Sequence, residues 1–183
     1  MQEIDAKQAR FEQLLVHMDA AYNLARWLVR NPSDAEDVVQ ESMLRALRFI
    51  GGVRGADIRP WLLAIVRNAS YAWLKSHRPG ELFDITEDEL EASFAVDRPD
   101  LNPETAAIRH AEKALLNEAI SALPVIFRET LILRELEELS YREIARITDV
   151  PIGTVMSRLS RARQLLAQAL GAIAQASVRE NQK

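Results

Sequence analysis

Arg67, Asn68, Tyr71 and Lys75 follow one another at intervals of one, three and four residues, which gathers them on one side of a helix. Cations interleaved with an amide and an aromatic ring are what a single nucleic-acid strand needs: cations follow phosphates, while flat or hydrogen-bonding groups meet unstacked bases. An ordinary solvated helix face has the same composition. Further along, Gly153, Thr154, Ser157, Arg158 and Arg161 share the face opposite the apolar stripe Ile152, Val155, Leu159, Ala162 and Leu166. Small residues let such a helix approach a major groove, Thr and Ser reach base edges or phosphates, and arginines read guanine or anchor the backbone. A third set, Asp34, Asp37, Gln40, Glu41 and Arg45, forms the polar side of another predicted helix. Acids near its start and arginines near its end suit the helix dipole, so stability alone explains much of that pattern.

Other chemistry is missing from the sequence. With no cysteine in 183 residues there is no disulfide framework, thiolate zinc site, iron–sulfur cluster or thiol nucleophile. His17, His77 and His110 fall in different elements without metal-ligand spacing, and neither a Gly-rich phosphate loop nor a nucleophile elbow occurs. The expectation is a protein with no catalytic site, no metal, no cofactor and no small-molecule substrate. The N-terminal stretch MQEIDAKQARFEQ alternates charges where an export signal would be apolar, and the longest large-apolar run is Trp61 to Val66. A cytoplasmic chain that does not insert into a membrane is expected.

The elements that must position these groups are helical throughout. Phe11, Leu14, Leu15, Met18, Tyr22, Ala25 and Val29 form one amphipathic stripe that ends at Asn31-Pro32. Ser33 stands three residues before Glu36, the spacing of a capping box, and opens a helix that buries Ala35, Val38, Val39, Met43, Ala46, Leu47 and Ile50 before Gly51-Gly52. After the loop Gly51 to Arg59, Pro60 suits a first helical position, with Trp61, Leu62, Ile65, Ala69, Ala72 and Trp73 as the buried stripe. A helix over Glu104 to Leu123 and another over Val125 to Glu137 follow, broken at Pro124. Ser140 and Glu143 then supply a second capping box to a short helix, Tyr141 to Ile147. The turn Thr148-Asp149-Val150 leads into the long helix after Pro151, which makes a helix-turn-helix.

Charge divides the chain. The formal total is -4, yet residues 1–78 hold 11 basic and 9 acidic side chains, residues 79–112 hold 2 and 10, and residues 113–183 hold 10 and 8. Ile58 to Gly80 and Val150 to Arg179 contain no Asp or Glu at all. Net acidity therefore describes the middle of the chain and says little about the two basic faces. With Pro79, Pro99 and Pro103 in the acidic stretch, the sequence predicts an all-α protein of two small helical domains, 1–78 and 104–183, joined by a flexible acidic linker over 79–103.

Taken together, Asp34-Ala-Glu-Asp-Val-Val-Gln-Glu41, Pro60-Trp-Leu-Leu-Ala-Ile-Val-Arg-Asn68, Ala122-Leu-Pro124, Leu139-Ser-Tyr-Arg-Glu-Ile-Ala145, Val150-Pro-Ile-Gly-Thr-Val155 and Ser157-Arg-Leu-Ser-Arg-Ala-Arg163, in this order, resemble the extracytoplasmic-function (ECF) group of bacterial sigma factors. The resemblance covers about Phe11 to Arg78 and Ala111 to Leu170. It implies a protein that binds core RNA polymerase and directs it to promoter DNA without catalysing a reaction, under the control of an anti-sigma factor. It implies further that Asp34, Asp37, Gln40, Glu41 and Arg45 meet the polymerase. Arg67, Asn68, Tyr71 and Lys75, with the loop Gly51 to Arg59, would hold the unwound -10 strand, with a base flipped into a pocket. Gly153, Thr154, Ser157, Arg158 and Arg161 would read the -35 duplex. Three positions depart from the family pattern: Glu138 and Asp149 stand where glycine is common, and Met156 where lysine is. Asp tolerates left-handed backbone better than most residues, so the turn at Asp149 is expected to survive. The competing reading is a sigma-like interaction module that sequesters a partner, its two lobes folded together by the acidic linker so that both basic faces are masked.

Overall fold

A computed structural model describes residues 9, 11–53, 58–83 and 106–180, and all regular structure among them is helical. After α1 (residues 11–16) come α2 (Met18–Val29), α3 (Pro32–Phe49), a 3-10 turn (Ile50–Gly52), α4 (Ile58–His77) and the single turn α5 (Gly80–Phe83). The second group is α6 (Ala106–Ala122), α7 (Val125–Glu135), α8 (Tyr141–Thr148) and α9 (Ile152–Glu180).

The first amphipathic stripe is two helices, not one. His17 leaves the α-helical ladder, its N–H bonding back three residues to Leu14 at 3.0 Å, and α2 restarts behind it. Pro32 then decides how α3 begins. Its ring presets helical φ at the first position and it offers no N–H, so the cap must stand just before it. Extended Asn31 fills that place, and its side-chain oxygen accepts the N–H groups of Ser33 at 2.9 Å and Asp34 at 3.2 Å. The capping box predicted at Ser33 and Glu36 is thus replaced by an Asn31 cap.

Helix α4 starts two residues before Pro60, which still lies in the first turn, where an N–H has no intrahelical acceptor to lose. Its buried side is Ile58, Leu62, Leu63, Val66, Ala69, Ser70 and Leu74, whereas Trp61, Ile65 and Trp73 are half-buried and Ala72 is exposed. The predicted stripe was rotated because α4 is packed from two directions: α2 and α3 on one side, α8 on another. Residues 79–83 of the predicted linker belong to the folded body, since Leu82 packs on the core and Glu81 is held by three arginines. The rest of that linker, 84–103, lies outside the described residues.

In the second group every residue from Val125 to Leu133 is buried. The capping box of α8 forms as predicted: Ser140 Oγ accepts the Glu143 N–H, and the Glu143 carboxylate accepts the Ser140 N–H at 2.7 Å. Asp149 closes α8 in the left-handed region, with φ 55°, and Glu138 adopts φ 53° in the turn before Leu139. Along α9 the buried residues are Val155, Leu159, Ala162, Leu165 and Ala169; Ile152 is exposed and Leu166 half-buried, both corrections to the predicted stripe. A helix of 3.6 residues per turn drifts back onto its neighbours at Leu165, where the predicted spacing had run one position ahead. A single apolar cluster runs from Leu14 to Leu165 through both groups, with α2 against α7 and α4 against α8.

Candidate nucleic-acid interface

The three predicted sets of side chains sit in different surroundings. On α3, Asp37, Gln40, Glu41 and Arg45 are exposed and Asp34 is half-buried in the first turn. Arg45 donates to Glu41 at 2.6 Å across one helical turn. Beside this polar edge an open apolar groove of about 620 Å³ is lined by Leu15, Met18, Tyr22, Val39, Met43 and Leu44, with Glu36 and Gln40 on its rim. Leu15 and Leu44 are large apolar side chains left exposed there.

On α4 the set divides. Asn68 and Lys75 are exposed, whereas Arg67 and Tyr71 turn inward toward α7. The Arg67 guanidinium stacks over the Tyr71 ring at 4.4 Å. Its Nε donates to Glu129 Oε1 at 2.5 Å, and the Tyr71 hydroxyl donates to Glu129 Oε2 at 3.1 Å. Glu129 is fully buried. Burial pushes its carboxyl above the ordinary value, against the pull of Arg67 and Tyr71. For Arg67 burial works the other way, and the adjacent Glu129 outweighs it, so the guanidinium is held above its usual value. Burial and the same carboxylate push the Tyr71 phenol well above its usual range.

On α9, Gly153 and Ser157 are exposed and Thr154, Arg158 and Arg161 are half-buried. The Ser157 hydroxyl donates to the Thr154 carbonyl at 3.0 Å. The half-buried Arg158 has its Nε buried without a hydrogen-bond partner. The basic face of α4, which the sequence places in the first lobe, therefore meets a buried carboxylate of the second.

Sequence reasoning passed over Glu129, Arg128, Glu137 and Glu81, which organise the contact between the two groups. Arg128 is 1% exposed and donates to the carbonyls of Ser121 at 2.8 Å, Leu123 at 3.0 Å and Leu28 at 3.3 Å, and to Glu81 at 3.2 Å. Burial, and then the nearby charge of Arg30, push its pKa down to about 10, so it remains a cation at neutral pH. Arg30 bonds the Ser121 carbonyl at 3.0 Å and also pairs with Glu81. Glu137 accepts from Arg59 at 2.6 Å and from Asn23 at 3.4 Å. The signal was present in Val125 to Leu133: a helix apolar all round is buried all round, and charged residues inside such a run must find partners.

Two family descriptions match this chain, Sigma-70 region 2 over residues 15–79 and Sigma-70 region 4 over residues 113–166. The RNA polymerase sigma-H factor of Pseudomonas aeruginosa is 36% identical, covering 78% of this chain and 76% of that protein. The ECF RNA polymerase sigma-E factor of Haemophilus influenzae is 35% identical, covering 78% of this chain and 77% of its own length. Among solved structures, the Bartonella quintana sigma factor RpoE, crystallised with the anti-sigma factor NepR, superposes with a TM-score of 0.66 at 26% identity over 87% of this chain and 95% of that one. CnrH, solved with the cytosolic domain of CnrY, shares the fold, with a TM-score of 0.64 at 22% identity over 93% of this chain and 94% of its own. The chain belongs to the ECF group of the sigma-70 family, whose members are DNA-binding transcription initiation factors. No helix among the described residues is long and apolar enough to cross a membrane.

Proposed function

We propose that this chain is the promoter-specificity subunit of a bacterial RNA polymerase and acts in the cytoplasm by binding rather than by catalysis. Its residues 1–78 carry the polymerase and -10 contacts, and residues 104–183 the -35 contacts. The exposed edge of α3, Asp34, Asp37, Gln40, Glu41 and Arg45, meets core polymerase, and the adjacent apolar groove accepts part of the same partner. Arg67, Asn68, Tyr71 and Lys75 hold the unwound -10 strand, cations on phosphates and the ring against a base. Gly153, Thr154, Ser157, Arg158 and Arg161 enter the major groove of the -35 duplex. An anti-sigma factor restrains the protein, as NepR accompanies the Bartonella relative.

The observation that carries this reading is the capped helix-turn-helix of α8 and α9, with the second helix free of acids from Ile152 to Arg179, in one chain with the sigma-type α3 and α4. Run-off transcription with purified core polymerase on a library of promoter fragments tests it. Discrete transcripts dependent on this chain are expected, and the absence of open complexes on every fragment would overturn the reading. A sequestering module is the second reading, favoured by the occupation of Arg67 and Tyr71 by Glu129. Such a module binds polymerase in the same experiment and starts no transcript. Arg158→Ala separates the tasks: promoter binding falls while polymerase binding is kept.

A further inference from the structure

We infer that the start of α9 carries an edge that reads thymine: Ile152 and Met156, beside Gly153, meet C5-methyl groups in the major groove and give this chain a preference for T·A pairs in the -35 duplex. The inference rests on the proposed entry of α9 into that groove and names the chemistry read there. Ile152, Gly153, Met156, Ser157, Ser160 and Gln164 are exposed on α9, while Thr154, Arg158 and Arg161 are half-buried. Ile152 and Met156, 41% and 53% exposed, are the large apolar side chains that the described part of α9 leaves in solvent. They lie one helical turn apart, and Gly153 stands three residues before Met156, which places the three in one patch.

The fold makes no use of that patch. Neither side chain joins the apolar core cluster, and a Cβ added at Gly153 would meet, outside its own turn of helix, no atom of the described residues within 4 Å. Glycine there weakens the helix and leaves room for another body to approach closely. The surroundings name that body. Ile152 to Arg179 contains no Asp or Glu, and Arg158, Arg161 and Arg163 follow within two turns of Met156, a surface that suits a polyanion. In the major groove the apolar group on a base edge is the thymine methyl. The Met156 thioether has no proton to donate to guanine, and its unbranched chain fits an irregular surface. Ser157 donates to the Thr154 carbonyl at 3.0 Å, so its oxygen is left to accept, which suits the N6 amine of thymine's partner adenine.

Holoenzyme assembled from purified core polymerase and the full chain tests this on a promoter fragment that it transcribes. Replacing the thymines of the -35 segment, on either strand, one at a time with deoxyuridine removes the C5-methyl and leaves every hydrogen-bonding group in place. At one or two positions the replacement should weaken promoter binding about fourfold, the worth of one methyl group withdrawn from water. Met156→Ala or Ile152→Ala should weaken binding to thymine DNA by a similar factor and make it indifferent to deoxyuridine at the position concerned, while Met156→Leu keeps the sensitivity. Both side chains are exposed, and circular dichroism establishes that each variant is folded. A -35 segment without thymine, binding unchanged by every deoxyuridine, or sensitivity retained at every position by both alanine variants would overturn the inference. So would a loss of core polymerase binding in Met156→Ala, which would make polymerase the occupant of the patch. A holoenzyme that starts no transcript on any fragment overturns the sigma reading, and the inference falls with it; transcripts without a methyl effect overturn the inference alone.

Discussion

Arg128→Leu tests the joint between the two helical groups, and its cost follows from the partners left behind. The guanidinium makes four bonds, and two of its acceptors have other donors: the Ser121 carbonyl keeps Arg30 at 3.0 Å, and Glu81 keeps Arg30 and Arg78. The Leu28 and Leu123 carbonyls lose theirs. Leu28 is the more exposed to harm, because the residue four positions on is Pro32, which has no N–H to give. Two buried acceptors stranded at roughly 1–3 kcal/mol each, less the relief of no longer burying a cation, come to a loss of about 2–4 kcal/mol. Against a total stability of about 5–15 kcal/mol for a protein of this kind, that is a large fraction. Arg128→Lys keeps the charge but cannot span carbonyls on two sides, and should lose about 2 kcal/mol. Equilibrium urea unfolding followed by circular dichroism measures both. A loss below about 1 kcal/mol for Arg128→Leu would mean that Arg128 does not carry the joint.

Ser140→Ala removes the α8 cap and should lower stability by about 1 kcal/mol in the same assay. The Ser140 hydroxyl and N–H hold the Glu143 carboxyl below its ordinary 4.5, so this contribution is present above that value and lost as pH falls through the lowered one; the gap between wild type and Ser140→Ala should close in acid, and a constant gap would exclude the carboxylate from the cap. Glu138→Gly relieves a left-handed backbone at φ 53° and should stabilise by about 0.5–1 kcal/mol, read as a higher Tm. Asp37→Ala with Glu41→Ala should weaken core polymerase binding in a pull-down or polarisation assay while changing stability by less than about 0.5 kcal/mol, since the Glu41–Arg45 pair is exposed. A marked drop in melting temperature would make those acids structural.

The helix-turn-helix was legible because its signals are local. A Ser–Glu pair three residues apart, an Asp where the turn demands φ above zero, and apolar residues at helical spacing each act within one or two turns of chain, and all appear in α8 and α9. The Asn31 cap was misplaced because two capping signals overlapped and Pro32 decided between them. The stripe of α4 was misread for a different reason: periodicity reports one buried face, and α4 has neighbours on two.

Net charge marks the boundary of what a sequence reveals about such a protein. Counting by segment located two basic faces and an acidic middle, which pointed to the linker as the group that could mask them. Among the described residues Glu81 of that acidic stretch does pair with Arg78, but the acids that hold Arg67, Tyr71 and Arg59 are Glu129 and Glu137, from the second group, which counting by segment does not single out. A carboxylate matters here through burial, not number. Moved to the surface, Glu129 would add little, since exposed ion pairs contribute at most about 1 kcal/mol. Enclosed where α7 meets α4, it must keep its partners or be stranded, and the partners, Arg67 and Tyr71, are side chains proposed to bind DNA. The contacts to Glu129 and the contacts proposed to promoter DNA therefore draw on the same donors, Arg67 Nε and the Tyr71 hydroxyl.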